Sequence, residues 1–147
     1  MGTGKHRSSN YYLGLAILPD YRMYNVLLLA LGGAMGTIAR YGTGLWINRT
    51  LEQPLFPWGT FAINLTGCLV IGLLAGMNER NPFEVSARLF LFTGLLGGFT
   101  TFSAFGLESV QLIRNGHWQL AGLYAGSSTL VGILFAYAGY RLTMGGR

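Results

Sequence analysis

Charged residues cut this chain into four long apolar runs: residues 23–39, 53–78, 89–107 and 115–140 contain no Asp, Glu, Lys or Arg. A membrane-crossing helix needs about 20 mostly apolar residues, because lipid offers no hydrogen-bond partner to the backbone. The pattern predicts four helices, over about residues 24–46, 57–77, 86–113 and 118–142. Pro54 and Pro57 punctuate the first connection, Asn78-Glu79-Arg80-Asn81-Pro82 forms the second, and Arg114-Asn115-Gly116-His117 forms the third. Trp46, Trp58, Trp118, Tyr137 and Tyr140 fall near the predicted ends, where amphipathic rings sit at headgroup level. The fold expected is an all-α membrane protein.

The chain reads as a four-span domain over residues 23–142, with an N-terminal extension over 1–22 and a short tail over 143–147. In the extension, Lys5, His6 and Arg7 precede an apolar patch at residues 11–18 that is too short to span. It is read as cytoplasmic or interfacial. Four spans put both termini on one side, with Lys5, Arg7, Arg22, Arg80, Arg88, Arg141 and Arg147. The other side carries Arg49 and Arg114. The excess of basic residues assigns the first side to the cytoplasm.

Composition narrows the function. Hydrophobic residues make up 51% of the chain and charged ones 10%, against about 25% charged in soluble domains. The net charge of +5 comes from scattered single residues, which is not the footprint of a nucleic-acid binder. The single cysteine, Cys68, permits neither an internal disulfide nor a cysteine-based metal site, and reads as a buried thiol. No nucleophile–base pair, metal-ligand cluster or phosphate loop stands out, so an enzyme is not expected. His117, beside Trp118 in a predicted loop, is given no role.

Candidate chemistry lies in the polar residues of the apolar runs. Gly97-Gly98-Phe99-Thr100-Thr101-Phe102-Ser103-Ala104-Phe105 occupies the centre of the third run. Adjacent glycines let a backbone leave helical geometry, so a third helix broken near its middle, at Gly97-Gly98, is expected. An interrupted helix exposes backbone carbonyls and N–H groups at membrane depth, which can bind ions without charged side chains. Phe102 and Phe105, three apart, lie on nearly one face. Their positive ring edges suit a passing anion, and their faces suit plain packing. Asn64, near mid-span and sharing a face with Thr60, either bonds another helix or binds an ion. Tyr124, Ser128 and Gly132 form a polar or small stripe on the fourth helix. Gly32 and Gly36 have the spacing that lets a second helix approach closely. Arg40, inside the end of its span, is either a snorkelling side chain or a fixed positive charge at a pore mouth. The one acid near a span interior is Glu108.

Taken in order, Gly32-Gly33-x-x-Gly36-x-x-x-Arg40-Tyr41, Pro57-Trp58-Gly59-Thr60-x-x-x-Asn64-x-x-Gly67 and Gly94-x-x-Gly97-Gly98-Phe99-Thr100-Thr101-Phe102-Ser103-x-Phe105 with Glu108 resemble the Fluc (CrcB) fluoride channels, over about residues 27–141. The resemblance implies a multi-pass protein of the cell membrane that releases fluoride passively and relieves its toxicity. It implies an antiparallel, dual-topology dimer of identical subunits, or of this chain with an unlike paralogue. Two fluoride pores at the interface and a structural sodium ion at the centre are implied as well. By motif position, Phe102 and Phe105 would be the pore rings and Asn64 the pore amide. Ser103, Thr60, Tyr124 and Ser128 would belong to the polar track, and Arg40 to the vestibule. Carbonyls at Gly97 and Thr100 would hold the sodium. Gly132, where some members carry a hydroxyl, and Ala104, where Thr or Ser is common, depart from the pattern. The competing reading is a small dual-topology multidrug exporter, which needs a mid-span glutamate that this chain lacks.

Overall fold

The computed structural model describes residues 19–52 and 55–145. The reading of residues 1–18 as part of a cytoplasmic or interfacial extension lies outside the described residues. Within them every regular element is helical: α1 (Pro19–Thr50), α2 (Trp58–Arg80), α3 (Val85–Arg88), a π-helical stretch (Leu89–Leu96), α4 (Gly97–Phe99), α5 (Phe102–Arg114) and α6 (Trp118–Met144). Four spans are long and apolar enough to cross a membrane: Arg22–Thr50, Trp58–Arg80, Val85–Arg114 and Trp118–Met144. The third consists of α3, the π stretch, α4 and α5. Pro19 opens α1 at the position where a missing N–H costs nothing. The first helix thus starts before the predicted residue 24 and continues past residue 46.

Two tight pairings build the bundle: α2 packs on α6, and α1 packs on the π stretch and α4. Glycines let the backbones touch. A Cβ at Gly72 would stand 2.0 Å from the Ala136 carbonyl oxygen, and one at Gly139 would stand 2.3 Å from that of Leu69. On the other side, a Cβ at Gly32 would meet the Phe90 oxygen at 2.7 Å, and one at Gly36 the Leu95 oxygen at 2.1 Å. The close approach expected at Gly32 and Gly36 is therefore made, and its partner is the third span.

The third span does break near its middle, but not at the glycines. Gly97 and Gly98 are helical, and the chain turns extended at Thr100 (φ −84°, ψ 158°) and Thr101 (φ −150°, ψ 119°). Gly98 is needed for contact: a Cβ there would lie 2.5 Å from the Gly33 carbonyl oxygen. Thr101 then restarts the helix as its N-cap, its Oγ1 accepting a hydrogen bond from the Ala104 N–H at 3.2 Å.

The helix ends are tied down. Arg80 Nη1 donates to the Thr143 carbonyl at 2.8 Å, placing a cation against the carbonyl end of α6. The Tyr140 hydroxyl donates to Glu79. Asn78 Oδ1 accepts from the Phe83 N–H at 3.0 Å and shapes the second connection. Gly116, at φ +81°, turns the chain between α5 and α6. Outward faces carry exposed Leu27, Leu31, Ile38, Leu130, Ile133 and Leu142.

Candidate functional site

Breaking a helix in mid-membrane strands backbone donors and acceptors, each of which needs a partner. Here Asn64 on α2 takes up both groups of one residue. Its Oδ1 accepts from the Thr101 N–H at 2.9 Å, and its Nδ2 donates to the Thr101 carbonyl at 3.0 Å. A side-chain amide thus pairs with the extended backbone as a neighbouring strand would. Thr100 settles its own donors on one acceptor, N–H and Oγ1 both bonding the Leu96 carbonyl at 2.9 Å.

Immediately after the break, α5 presents Phe102 and Phe105, with ring centroids 5.5 Å apart. Phe102 is 84% exposed. The two rings edge a groove of about 530 Å³ whose lining includes Asn64, Gly97, Thr100 and Ser128. Ser128 Oγ is buried there and makes no hydrogen bond with any protein atom. Ser103 sits at the exposed start of α5, its Oγ 3.3 Å from Thr101 Oγ1. Gly132 is buried against α2, where a Cβ would lie 3.4 Å from Cys68 Sγ.

A second polar cluster flanks the break. Glu108 on α5 accepts from Thr60 Oγ1 at 2.6 Å through Oε1 and from the Tyr124 hydroxyl at 2.7 Å through Oε2. Three spans are thereby joined through one carboxylate. Tyr124 has no exposed surface, and its ring packs on Phe56 and Phe105 at centroid distances of 5.3 and 5.1 Å. Thr60 and Glu108 line a wider cavity of about 1190 Å³ together with Arg40, Asn48, Arg49 and Gln111. Thr101 is the residue that this cavity and the groove share.

The sequence-expected residues therefore divide into two neighbouring sets. Asn64, Phe102, Phe105, Ser128, Gly97 and Thr100 gather at the groove, whereas Ser103 lines neither cavity and stands apart beside Thr101. Thr60 and Arg40 line the wider cavity, and Tyr124 reaches it through Glu108. Sequence reasoning missed Thr101 as the turning point and Glu108 as the shared acceptor. The signal for Thr101 was its N-cap residue type ahead of an amphipathic helix.

Among the described residues, no group of three or more His, Cys, Asp and Glu side chains gathers. Main-chain carbonyls at the break offer oxygen ligands. The helical donor to the Gly97 carbonyl is the Thr101 N–H, which bonds Asn64 instead, and the donor to the Thr100 carbonyl is the Ala104 N–H, which bonds Thr101 Oγ1. Both carbonyls are deprived of their usual partners, and neutral hard oxygens of this kind suit a hard monovalent cation.

The comparisons with known proteins agree with this architecture. The family described as "CrcB-like protein, Camphor Resistance (CrcB)" matches residues 27–140. A relative from Methylobacillus flagellatus, described as a fluoride-specific ion channel FluC, is 48% identical over 122 residues, covering 82% of this chain and 94% of its own length. Relatives of the same description from Hyphomonas neptunium and Thermus thermophilus are 51% and 45% identical, covering 80% and 79% of this chain and 93% and 91% of their own lengths. With four apolar spans and matches along nearly all of them, this multi-pass membrane protein belongs to the CrcB family.

Proposed function

We propose that the chain is the subunit of a fluoride-selective channel that lets fluoride leave the cell passively and so relieves its toxicity. The observation that carries the reading is the exposed Phe102 ring at the mouth of the Asn64–Thr101 break, in a chain whose relatives are described as fluoride-specific channels. Fluoride is small and strongly hydrated, so several weak donors must replace its water without holding it. Ring edges of Phe102 and Phe105, the outward N–H of Asn64 and the hydroxyls of Ser128 and Ser103 supply such donors. Thr60 and Tyr124 continue the polar path toward the wider cavity, the vestibule of this reading, where the positive charge of Arg40 raises the local anion concentration.

One subunit presents only one wall of the groove, so the working unit is a dimer. Its second copy is antiparallel, either identical or an unlike paralogue, and covers Phe102. The Gly97 and Thr100 carbonyls hold a sodium ion that fixes the two breaks against each other. These carbonyls make up a protein-ligated cation site without charged side chains.

The multidrug exporter alternative is disfavoured by the position of Glu108, whose two oxygens are already committed to Thr60 and Tyr124. Fluoride efflux from proteoliposomes under a potassium-diffusion potential tests the proposal. Rapid fluoride release with no comparable chloride release is the expected result. Phe102→Ile should abolish release while the protein stays folded. Asn64→Asp should also suppress it, because a carboxylate repels both the anion and the Thr101 carbonyl. Undiminished release in either variant contradicts the site assignment.

A further inference from the structure

Thr101 carries more of the local geometry than any other residue of the break. Its N–H and carbonyl pair with Asn64 at 2.9 and 3.0 Å, and its side chain caps α5 through the Ala104 N–H. Its extended conformation (φ −150°, ψ 119°) therefore sets the direction in which the first turn of α5, with Phe102 and Phe105, leaves the break. The double pairing also fixes which way the Asn64 amide faces. Oδ1 must meet the Thr101 N–H and one Nδ2 hydrogen must meet the Thr101 carbonyl, which leaves a single N–H free to face the groove.

We propose that Asn64 is a positioning residue for the pore rings: its Oδ1 supplies the acceptor that the Thr101 N–H lost at the break, its Nδ2 adds a donor to the carbonyl that opens α5, and by holding Thr101 at both groups it sets where Phe102 and Phe105 stand. The inference rests on the reading of those rings as pore-lining, and it adds a second role to the amide. A donor that only touched the ion would need no partner on Thr101. A donor held at both ends is rigid, which also keeps its remaining N–H from following the ion and binding it too long.

The test changes one atom and leaves every side chain in place. Thr101 is replaced by its α-hydroxy acid counterpart through nonsense suppression in the full-length protein, so that the peptide N–H bonded by Asn64 becomes an ester oxygen. Unitary fluoride current is recorded in planar bilayers, because it reports on each open channel and is unaffected by loss of folded protein. A para-fluorophenylalanine at position 102 reports the ring's surroundings by fluorine NMR. The ester should lower unitary current about tenfold, the effect of leaving a buried partner unsatisfied, and should displace the resonance.

Asn64→Leu should do both as well. Adding the ester to Asn64→Leu should cost no more than about twofold further, since the two changes remove the same interaction. An ester variant with normal current and an unmoved resonance overturns the proposal, as do effects that multiply in the double variant. Because the ester also weakens the Thr100 carbonyl, the double variant is what separates the two effects, and if Asn64→Leu does not assemble, Asn64→Ala takes its place. If the unmodified protein passes no fluoride, the channel reading fails, and the fluorine resonance still decides whether Asn64 places the ring.

Discussion

The α2–α6 pair and the third span use glycine in opposite circumstances. Along α2 and α6, Gly72 and Gly139 bring two unbroken helices into backbone contact, and every peptide keeps its helical partner. In the third span, Gly98 also brings backbones together, against Gly33, yet the helix gives way just beyond it at two threonines. The contrast shows that glycine here marks where helices touch. Where they open is decided by side chains able to receive the stranded backbone groups: Asn64 from α2 and the Thr101 cap. One half of the molecule is a rigid frame, and the other is a polar seam held by side chains.

Substitutions can press on that contrast. The largest effect on stability should come from the frame. Gly72→Val places side-chain atoms where a single Cβ already meets the Ala136 oxygen at 2.0 Å, so it should destabilise the protein by about 3 kcal/mol or more. Yield of monodisperse protein in detergent and its thermal midpoint check this. Next comes a pair of neighbours. Gly98→Ala should cost about 2 kcal/mol, because its Cβ meets the Gly33 oxygen at 2.5 Å. Gly97→Ala should stay within about 0.5 kcal/mol, since its nearest contact is the Phe92 oxygen at 4.0 Å. If Gly97→Ala proved the more damaging, the assignment of the break to the threonines would be wrong.

A smaller loss, about 1–2 kcal/mol, is expected for Tyr124→Phe, which leaves one Glu108 oxygen without its donor. Fluoride release and thermal midpoint should fall together in that variant. Phe102→Ile should change the stability of the subunit by no more than about 0.5 kcal/mol, because the ring is so exposed within it, and should still abolish conduction.

Much of this was legible in the sequence. Missing charges located the four spans, since lipid penalises every charge alike, and the observed spans differ from the predicted ones mainly by longer ends. The ends were misjudged because hydropathy stops at the lipid boundary, whereas helices continue into water: α1 runs through Asn48, Arg49 and Thr50. The polar residues of the site were also visible, because a hydroxyl or amide in an apolar run is conspicuous.

Their pairing was not visible. Asn64 and Thr101 are 37 positions apart, and Thr60 and Glu108 are 48 apart. Only the packing of α2 against the third span brings them together. The break was misplaced for a related reason. Conformational freedom points to Gly97-Gly98, but satisfaction of backbone hydrogen bonds selects Thr100-Thr101, and that depends on a helix elsewhere in the chain.

Bi-ionic current recordings test the central claim most directly. With fluoride on one side of a planar bilayer and chloride on the other, the purified protein should carry a steady current whose reversal potential follows the fluoride gradient as that gradient is varied. A reversal potential that follows chloride, or a membrane that stays silent with verified protein inserted, would contradict the account.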